Sequence, residues 1–153
     1  MSVSKIILGY KLKLYRNIDG KKFVNTMTEE ELKENLDFLG PILSDLGYSK
    51  IDLYNFSSLK KLEYVENGRL GKKSIERENI GFYEKKDGPD ILINSGEHLE
   101  LQAFSRTKSL EDLYGEIYSL EEKLEEKINF SFDPNFGYLS SRVLNSGTGL
   151  KPI

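Results

Sequence analysis

Cysteine is missing from these 153 residues, and histidine occurs once. The first absence excludes disulfides, thiolate metal sites and a cysteine nucleophile, and it fits a reducing compartment. The second excludes any site that needs two imidazoles, such as a His-x-x-x-His zinc helix. Long hydrophobic runs are missing as well: the longest span three or four residues, as at Ile6-Ile7-Leu8. Neither a membrane span nor a signal-peptide core is expected, and the start Met-Ser-Val-Ser lacks a basic-plus-apolar leader. Nor is there a charge excess of one sign, with 22 Lys and Arg against 25 Asp and Glu for a net charge of -3. Generic coating of nucleic acid is therefore not expected. A soluble cytoplasmic protein is the expectation, without nucleic-acid or membrane partners. The length suits one domain, 1–153, with enough chain for a real core.

What is present is periodic. From Ile6 to Tyr15 the chain alternates, with Leu8, Tyr10, Leu12 and Leu14 on one face and Gly9, Lys11, Lys13 and Tyr15 on the other. Period two predicts a strand with one apolar and one cationic face, ended by Arg16-Asn17 and Asp19-Gly20. Thr28-Glu29-Glu30-Glu31 reads as a capping box, followed by the stripe Leu32, Leu36 and Leu39 of a helix that Gly40-Pro41 should end or kink. A short strand is expected from Ile51 to Phe56, then a weaker helix on Leu59, Leu62 and Val65. Strands at Ile80–Glu84 and Asp90–Asn94 flank an Asp-Gly turn, and a third alternating run covers His98–Phe104. Ser109 can cap a long helix whose stripe is Leu110, Leu113, Ile117, Leu120 and Leu124. Its acidic residues, Glu121 among them, read as a solvated face. An aromatic-rich turn and a last strand, Tyr138–Leu144, complete the reading: α+β, an antiparallel sheet with helices packed on one face.

Few residues carry chemistry on their own. Lys11 and Lys13 place two ammonium groups about 7 Å apart, a spacing that can hold a polyphosphate. Lysines on a strand also serve to guard a solvated edge. The lone His98 fits a surface or satisfied structural position better than a functional one. Asn145 to Gly149 offers amides that can cradle an anion. No Ser-His-Asp arrangement, no carboxylate pair and no metal site follows from spacing.

Three ordered segments add more. Gly9-Tyr10-Lys11-Leu12-Lys13-Leu14-Tyr15-Arg16-Asn17 is similar to a strand S-S-R-I-R-L-A-R-N. Ile91 to Gln102 is similar to I-x-V-N-E-E-D-H-I-R-I-Q, and Phe136 to Lys151 to R-G-Y-L-T-S-C-P-T-N-V-G-T-G-L-R. In this order they resemble the catalytic domain of the ATP:guanido phosphotransferases (phosphagen kinases), with the bacterial protein arginine kinase branch nearest. The resemblance implies a glutamine-synthetase-like antiparallel fold. It also implies transfer of the ATP γ-phosphoryl group to a guanidinium nitrogen, with arginines and Mg²⁺ neutralising the phosphates. By the same resemblance Lys11, Lys13 and Lys151 fall on phosphate-binding arginines, and His98 on a histidine of the nucleotide site.

The departures fall on the same motifs. Lysine keeps the charge but loses the planar bidentate fork. Glu100 stands where the family has an arginine, and would repel phosphate by about a few kcal/mol. Gly96 stands at the catalytic glutamate, with Glu97 one residue along and therefore turned to the other face. Arg142 stands at the reactive cysteine. The chain also resembles only the first half of such a domain, ending near where a further strand is expected.

No catalytic residue is therefore assigned. The reading is a kinase-derived protein that binds nucleotide or phosphate, or regulates a partner, without transfer activity of its own. ATP and Mg²⁺ are its possible ligands, and a second copy or a full-length arginine kinase its possible partner. The alternatives are a half-site kinase completed by a partner chain, and an interaction module with no ligand.

Overall fold

A computed structural model describes residues 9–52, 57–66, 69, 79–140 and 150–152, the last three by their backbone. The alternating first segment forms β1 (Tyr10–Arg16), with Leu12 and Leu14 buried as the period requires. Arg16, expected in the turn, is the strand's last residue; it lies on the apolar face and is buried.

The capping box forms in full: the Thr28 hydroxyl accepts from the Glu31 amide and the Glu31 carboxylate accepts from the Thr28 amide, both at 3.2 Å. The helix it opens, α1 (Glu29–Asp45), runs through Gly40-Pro41 instead of stopping there. Proline forfeits one helical N–H bond, but continuation buries Leu43 as completely as Leu39. Gly40 permits close docking, since a Cβ there would come 3.0 Å from the Tyr83 hydroxyl.

After β2 (Ser49–Ile51) comes α2 (Ser58–Glu66). The rest of the expected strand, 53–56, lies outside the described residues. The expected stripe of α2 is corrected: Leu59 and Leu62 face solvent, and Tyr64 is the buried residue. Tyr64 reaches across the sheet to Phe82, their ring centroids 5.6 Å apart.

The hairpin β3 (Gly81–Glu84) and β4 (Asp90–Ile93), then β5 (Leu99–Ser105), fall within one residue of expectation. Asp87, at φ 60°, turns the hairpin. Helix α3 (Leu110–Glu125) is capped by the Ser109 hydroxyl, which accepts from the Asp112 amide at 3.1 Å. Glu121 does not join its solvated acidic face but is buried. Of the expected last strand, Tyr138 falls in β7 (Gly137–Tyr138), paired with β6 (Phe132–Asp133), and 141–149 lie outside the described residues.

β8 (Leu150–Pro152) joins the main sheet, whose order is β2-β3-β4-β5-β1-β8, antiparallel throughout. The α+β class is as expected. Helices α1 and α3 cover one face, packing Leu39, Leu43, Leu113, Ile117 and Leu124 on Leu12, Leu14, Ile91, Ile93 and Leu101. The opposite face carries Phe82 and Leu92 under Tyr64 of α2. Strand β1 is an interior strand, so its lysines guard no edge. No helix of the described residues is long and apolar enough to cross a membrane.

Candidate functional site

The register decides what the two lysines meet. Across β1 and β5, Lys11 stands opposite Phe104, Lys13 opposite Gln102 and Tyr15 opposite Glu100. All these residues point away from the α1–α3 core, since side chains alternate along a strand. Lys13 Nζ lies 3.3 Å from Glu100 Oε1, a diagonal pair across the two strands. The Lys13 side chain is 22% exposed and that of Glu100 only 9%. Lys11 is half-buried; burial first, and then the Lys13 ammonium, lower its pKa below the ordinary 10.5, against the pull of Glu100 and Asp90. Lys151 of β8 holds the register position opposite Lys13 on its other side.

A further cation on this face, Arg69, gave no signal in the sequence. Arg69 donates from Nη2 to Glu84 at 2.6 Å, and from Nε and Nη2 to the two Asp90 oxygens at 3.0 and 2.9 Å. Its guanidinium lies over the Tyr64 ring, 4.5 Å from the centroid, and Gln102 donates to its carbonyl at 2.6 Å. The hydrogen bonds it donates to Asp90 raise its already high pKa further. The available clue was a set of polar residues, Glu84, Asp90 and Gln102, recurring on inner strands.

The loop between β4 and β5 is held from beneath. Asn94 takes φ 63°, a left-handed conformation that asparagine tolerates. Its amide donates to the carbonyls of Leu32 and Asn79, each at 2.9 Å, and its oxygen accepts from Asn35 at 3.1 Å. Asn17 accepts from the His98 backbone amide at 2.9 Å and donates to the Glu97 carboxylate at 2.7 Å. Glu97 is thus buried under the loop.

His98 is fully buried; its Nδ1 accepts from the Ile18 amide at 2.8 Å, and its Nε2 lies 2.7 Å from the Lys22 carbonyl oxygen, to which it can only donate. An amide can only donate, so the neutral ring carries its proton on Nε2 and gives it to Lys22. Desolvation by burial, the largest cause, lowers the His98 pKa below 6.5. Both ring nitrogens are committed to backbone groups, which makes His98 a clasp between the β4–β5 loop and the segment after β1. Gly96, by contrast, sits in the open: a Cβ built there meets nothing within 4 Å.

The structure therefore brings Lys11, Lys13 and Glu100 together on one sheet face, with His98 in the support of the neighbouring loop. Arg142 and the Asn145–Gly149 loop lie outside the described residues.

A family model described as the ATP:guanido phosphotransferase, C-terminal catalytic domain, matches residues 27–152. Among curated relatives, a protein-arginine kinase of Clostridium perfringens is 34% identical, and the match takes in 97% of this chain and 45% of the relative. One from Clostridium acetobutylicum is 31% identical over 95% of this chain and 45% of its own length. The chain thus spans less than half the length of these relatives. Among solved structures, the duplicated taurocyamine kinase from Schistosoma mansoni with bound transition state analog components superposes with a TM-score of 0.85 at 18% identity. That match covers 96% of this chain and 23% of the other. A lombricine kinase gives a TM-score of 0.75 at 16% identity, over 99% of this chain and 50% of the other. At these identities the structural matches speak for the fold alone.

Proposed function

Because this chain belongs to the ATP:guanido phosphotransferase family, we propose that it is a non-transferring relative of the protein-arginine kinases. It keeps the scaffold, binds phosphate weakly through Lys11, Lys13 and Lys151, and acts as a regulatory partner of a second copy or of a full-length arginine kinase. The observation that carries this reading is the Glu100 carboxylate 3.3 Å from Lys13. It stands where the resemblance calls for a phosphate-binding arginine, and it already occupies the cation that a phosphate would need.

Phosphoryl transfer is mostly positioning and charge neutralisation, and losing one preorganised group typically lowers the rate by about two to three orders of magnitude. Here the lysines give up bidentate contact, Glu100 reverses a charge and Gly96 offers no carboxylate. A nucleotide would rest its phosphates on Lys11 and Lys13 against the field of Glu100 and Asp90, so the residues present fit a triphosphate poorly. Among the described residues no group of three or more His, Asp or Glu side chains is placed to hold a metal ion. Magnesium would accordingly arrive with the phosphates, whose charge it offsets.

The test is phosphorus NMR of the purified protein with Mg-ATP and an arginine-rich protein. The expected result is no phosphoarginine; steady accumulation would overturn the reading. Glu100→Gln is expected to tighten Mg-ATP binding by about tenfold through loss of the repulsion, read by calorimetry. The gain should vanish in Lys11→Ala/Lys13→Ala.

A second reading, transfer completed by a partner chain, draws on the open space at Gly96, where a carboxylate from outside would fit. Adding a catalytically dead full-length protein-arginine kinase to the same assay separates the two, since only a completed site would yield product.

A further inference from the structure

Twice among the described residues a guanidinium rests on a tyrosine ring while carboxylates take its hydrogen bonds. Arg16 lies 3.5 Å from the Tyr138 centroid and donates to Glu121. Arg69 lies over Tyr64 and donates to Glu84 and Asp90. The reason is chemical: a planar, weakly hydrated guanidinium stacks on an aromatic face and still points its N–H groups, in its own plane, at carboxylates.

A third set of the same groups stands on α3 with its rings in the open. Glu111, Tyr114, Tyr118 and Glu122 follow one another at steps of three, four and four, so they share one ridge of the helix. Leu113, Ile117, Leu120 and Leu124 are turned into the core, and this ridge is turned out. Tyr114 and Tyr118 are 48% and 49% exposed. Their rings lie within 9° of parallel with centroids 6.0 Å apart, and so present one continuous aromatic surface. Glu111 and Glu122 stand at its two ends. Both are exposed, and neither makes a hydrogen bond or ion pair among the described residues. Glu122 is also the largest cause, followed by desolvation, Tyr114, Glu121 and Glu125, that raises the Tyr118 hydroxyl above its ordinary pKa of 10. The helix itself carries six carboxylates (Glu111, Asp112, Glu116, Glu121, Glu122 and Glu125) against Lys123 alone.

An open aromatic surface with a carboxylate at each end selects its occupant by charge. A neutral apolar segment would desolvate the acids without pairing them, and an acidic one would be repelled. Glu111 and Glu122 are about 16 Å apart along the axis, from the helical rise, a distance that about five residues of extended chain cover. We propose that this ridge docks an extended segment of another protein that carries two arginines about five residues apart, their guanidinium groups lying on Tyr114 and Tyr118 and donating to Glu111 and Glu122. Helix α3 packs on the sheet face opposite Lys11, Lys13 and Glu100, so the surface goes beyond the phosphate-binding reading and does not depend on it.

The experiment is an amide-resolved NMR titration of the whole chain with a capped synthetic peptide, Arg-Ala-Gln-Ala-Gln-Arg, beside twins that carry lysine or glutamate in place of both arginines. The arginine peptide should shift the amides of Tyr114, Gly115 and Tyr118 to saturation. The lysine twin should bind more weakly and the glutamate twin not at all. Tyr114→Leu/Tyr118→Leu keeps the apolar bulk but removes the cation-binding rings, and is expected to weaken binding about tenfold. Glu111→Gln/Glu122→Gln should weaken it about fivefold. Asp112→Asn/Glu116→Gln removes the same charge from the far flank of α3 and should leave binding within about twofold. Shifts that never saturate, equal binding by the lysine twin, or equal losses in the two charge-neutralised variants would overturn the proposal. So would self-association seen by light scattering and abolished by Tyr114→Leu/Tyr118→Leu, which would make a second copy the occupant.

Discussion

Replacing Glu121 by alanine is expected to destabilise the protein by about 3–5 kcal/mol, the range for removing one partner of a buried ion pair. Glu121 sits on α3 and Arg16 ends β1; they are 7% and 4% exposed. Arg16 donates to Glu121 Oε1 from Nη2 at 3.0 Å and from Nε at 3.3 Å, and from Nη1 to the Tyr15 carbonyl at 2.9 Å. The Tyr138 ring covers the guanidinium, its centroid 3.5 Å away. Burial, the largest cause, pushes the Glu121 carboxyl above the ordinary carboxylate range, with Glu125 adding to the push and Arg16 opposing it. Alanine would leave the guanidinium buried without its counter-charge. The double variant Arg16→Met/Glu121→Leu should recover most of the loss, because two apolar side chains owe no desolvation penalty. Urea unfolding of the three proteins reads this directly. A Glu121→Ala midpoint equal to wild type would show that the pair adds nothing to the fold.

His98→Ala is the second large effect, with an expected loss of about 2–4 kcal/mol. It removes two hydrogen bonds at once and strands the Ile18 amide in the interior. The clasp is also pH-sensitive, and its sign follows from its chemistry. Nδ1 must stay unprotonated to accept from Ile18, and the folded pKa lies below 6.5. The unfolded chain therefore takes up the proton first, so stability is complete above that value and falls as the pH drops through it toward the folded pKa. Lys21 acts in the same direction and Glu97 against it. Unfolding measured from neutral pH down to about pH 5 should show this loss in the wild type. The loss should be missing from His98→Ala, and a profile unaltered by the substitution would refute the assignment.

Gly96→Glu makes a milder case. With nothing within 4 Å of a Cβ at this position, the change is expected to alter stability by less than about 0.5 kcal/mol. A larger loss in thermal unfolding would mean that the loop needs glycine.

How much could be read in advance depended on how far apart the interacting residues lie. The Thr28 and Ser109 caps, the alternation of Leu12 and Leu14, the β3–β4 hairpin and the stripe of α3 are local, so spacing alone revealed them. The passage of α1 through Pro41 was hidden because the gain that offsets it, burial of Leu43, comes from packing on the sheet. Arg16 and Glu121 lie 105 residues apart in the chain. In the sequence one looked like part of a turn and the other like one more acid on a wet face. Arg69 had no periodic pattern around it, and its partners Glu84 and Asp90 come from two other strands.

The sequence by itself determined the family, the α+β class, and the strand that carries Lys11 and Lys13, because ordered motifs and strand and helix periods are properties of the chain alone. Tertiary structure decided that Glu100 reaches Lys13, that His98 serves the backbone, and that α3 leaves Tyr114 and Tyr118 in the open. Those facts rest on strand register and on which face each element buries, and both are settled only when distant segments pack together.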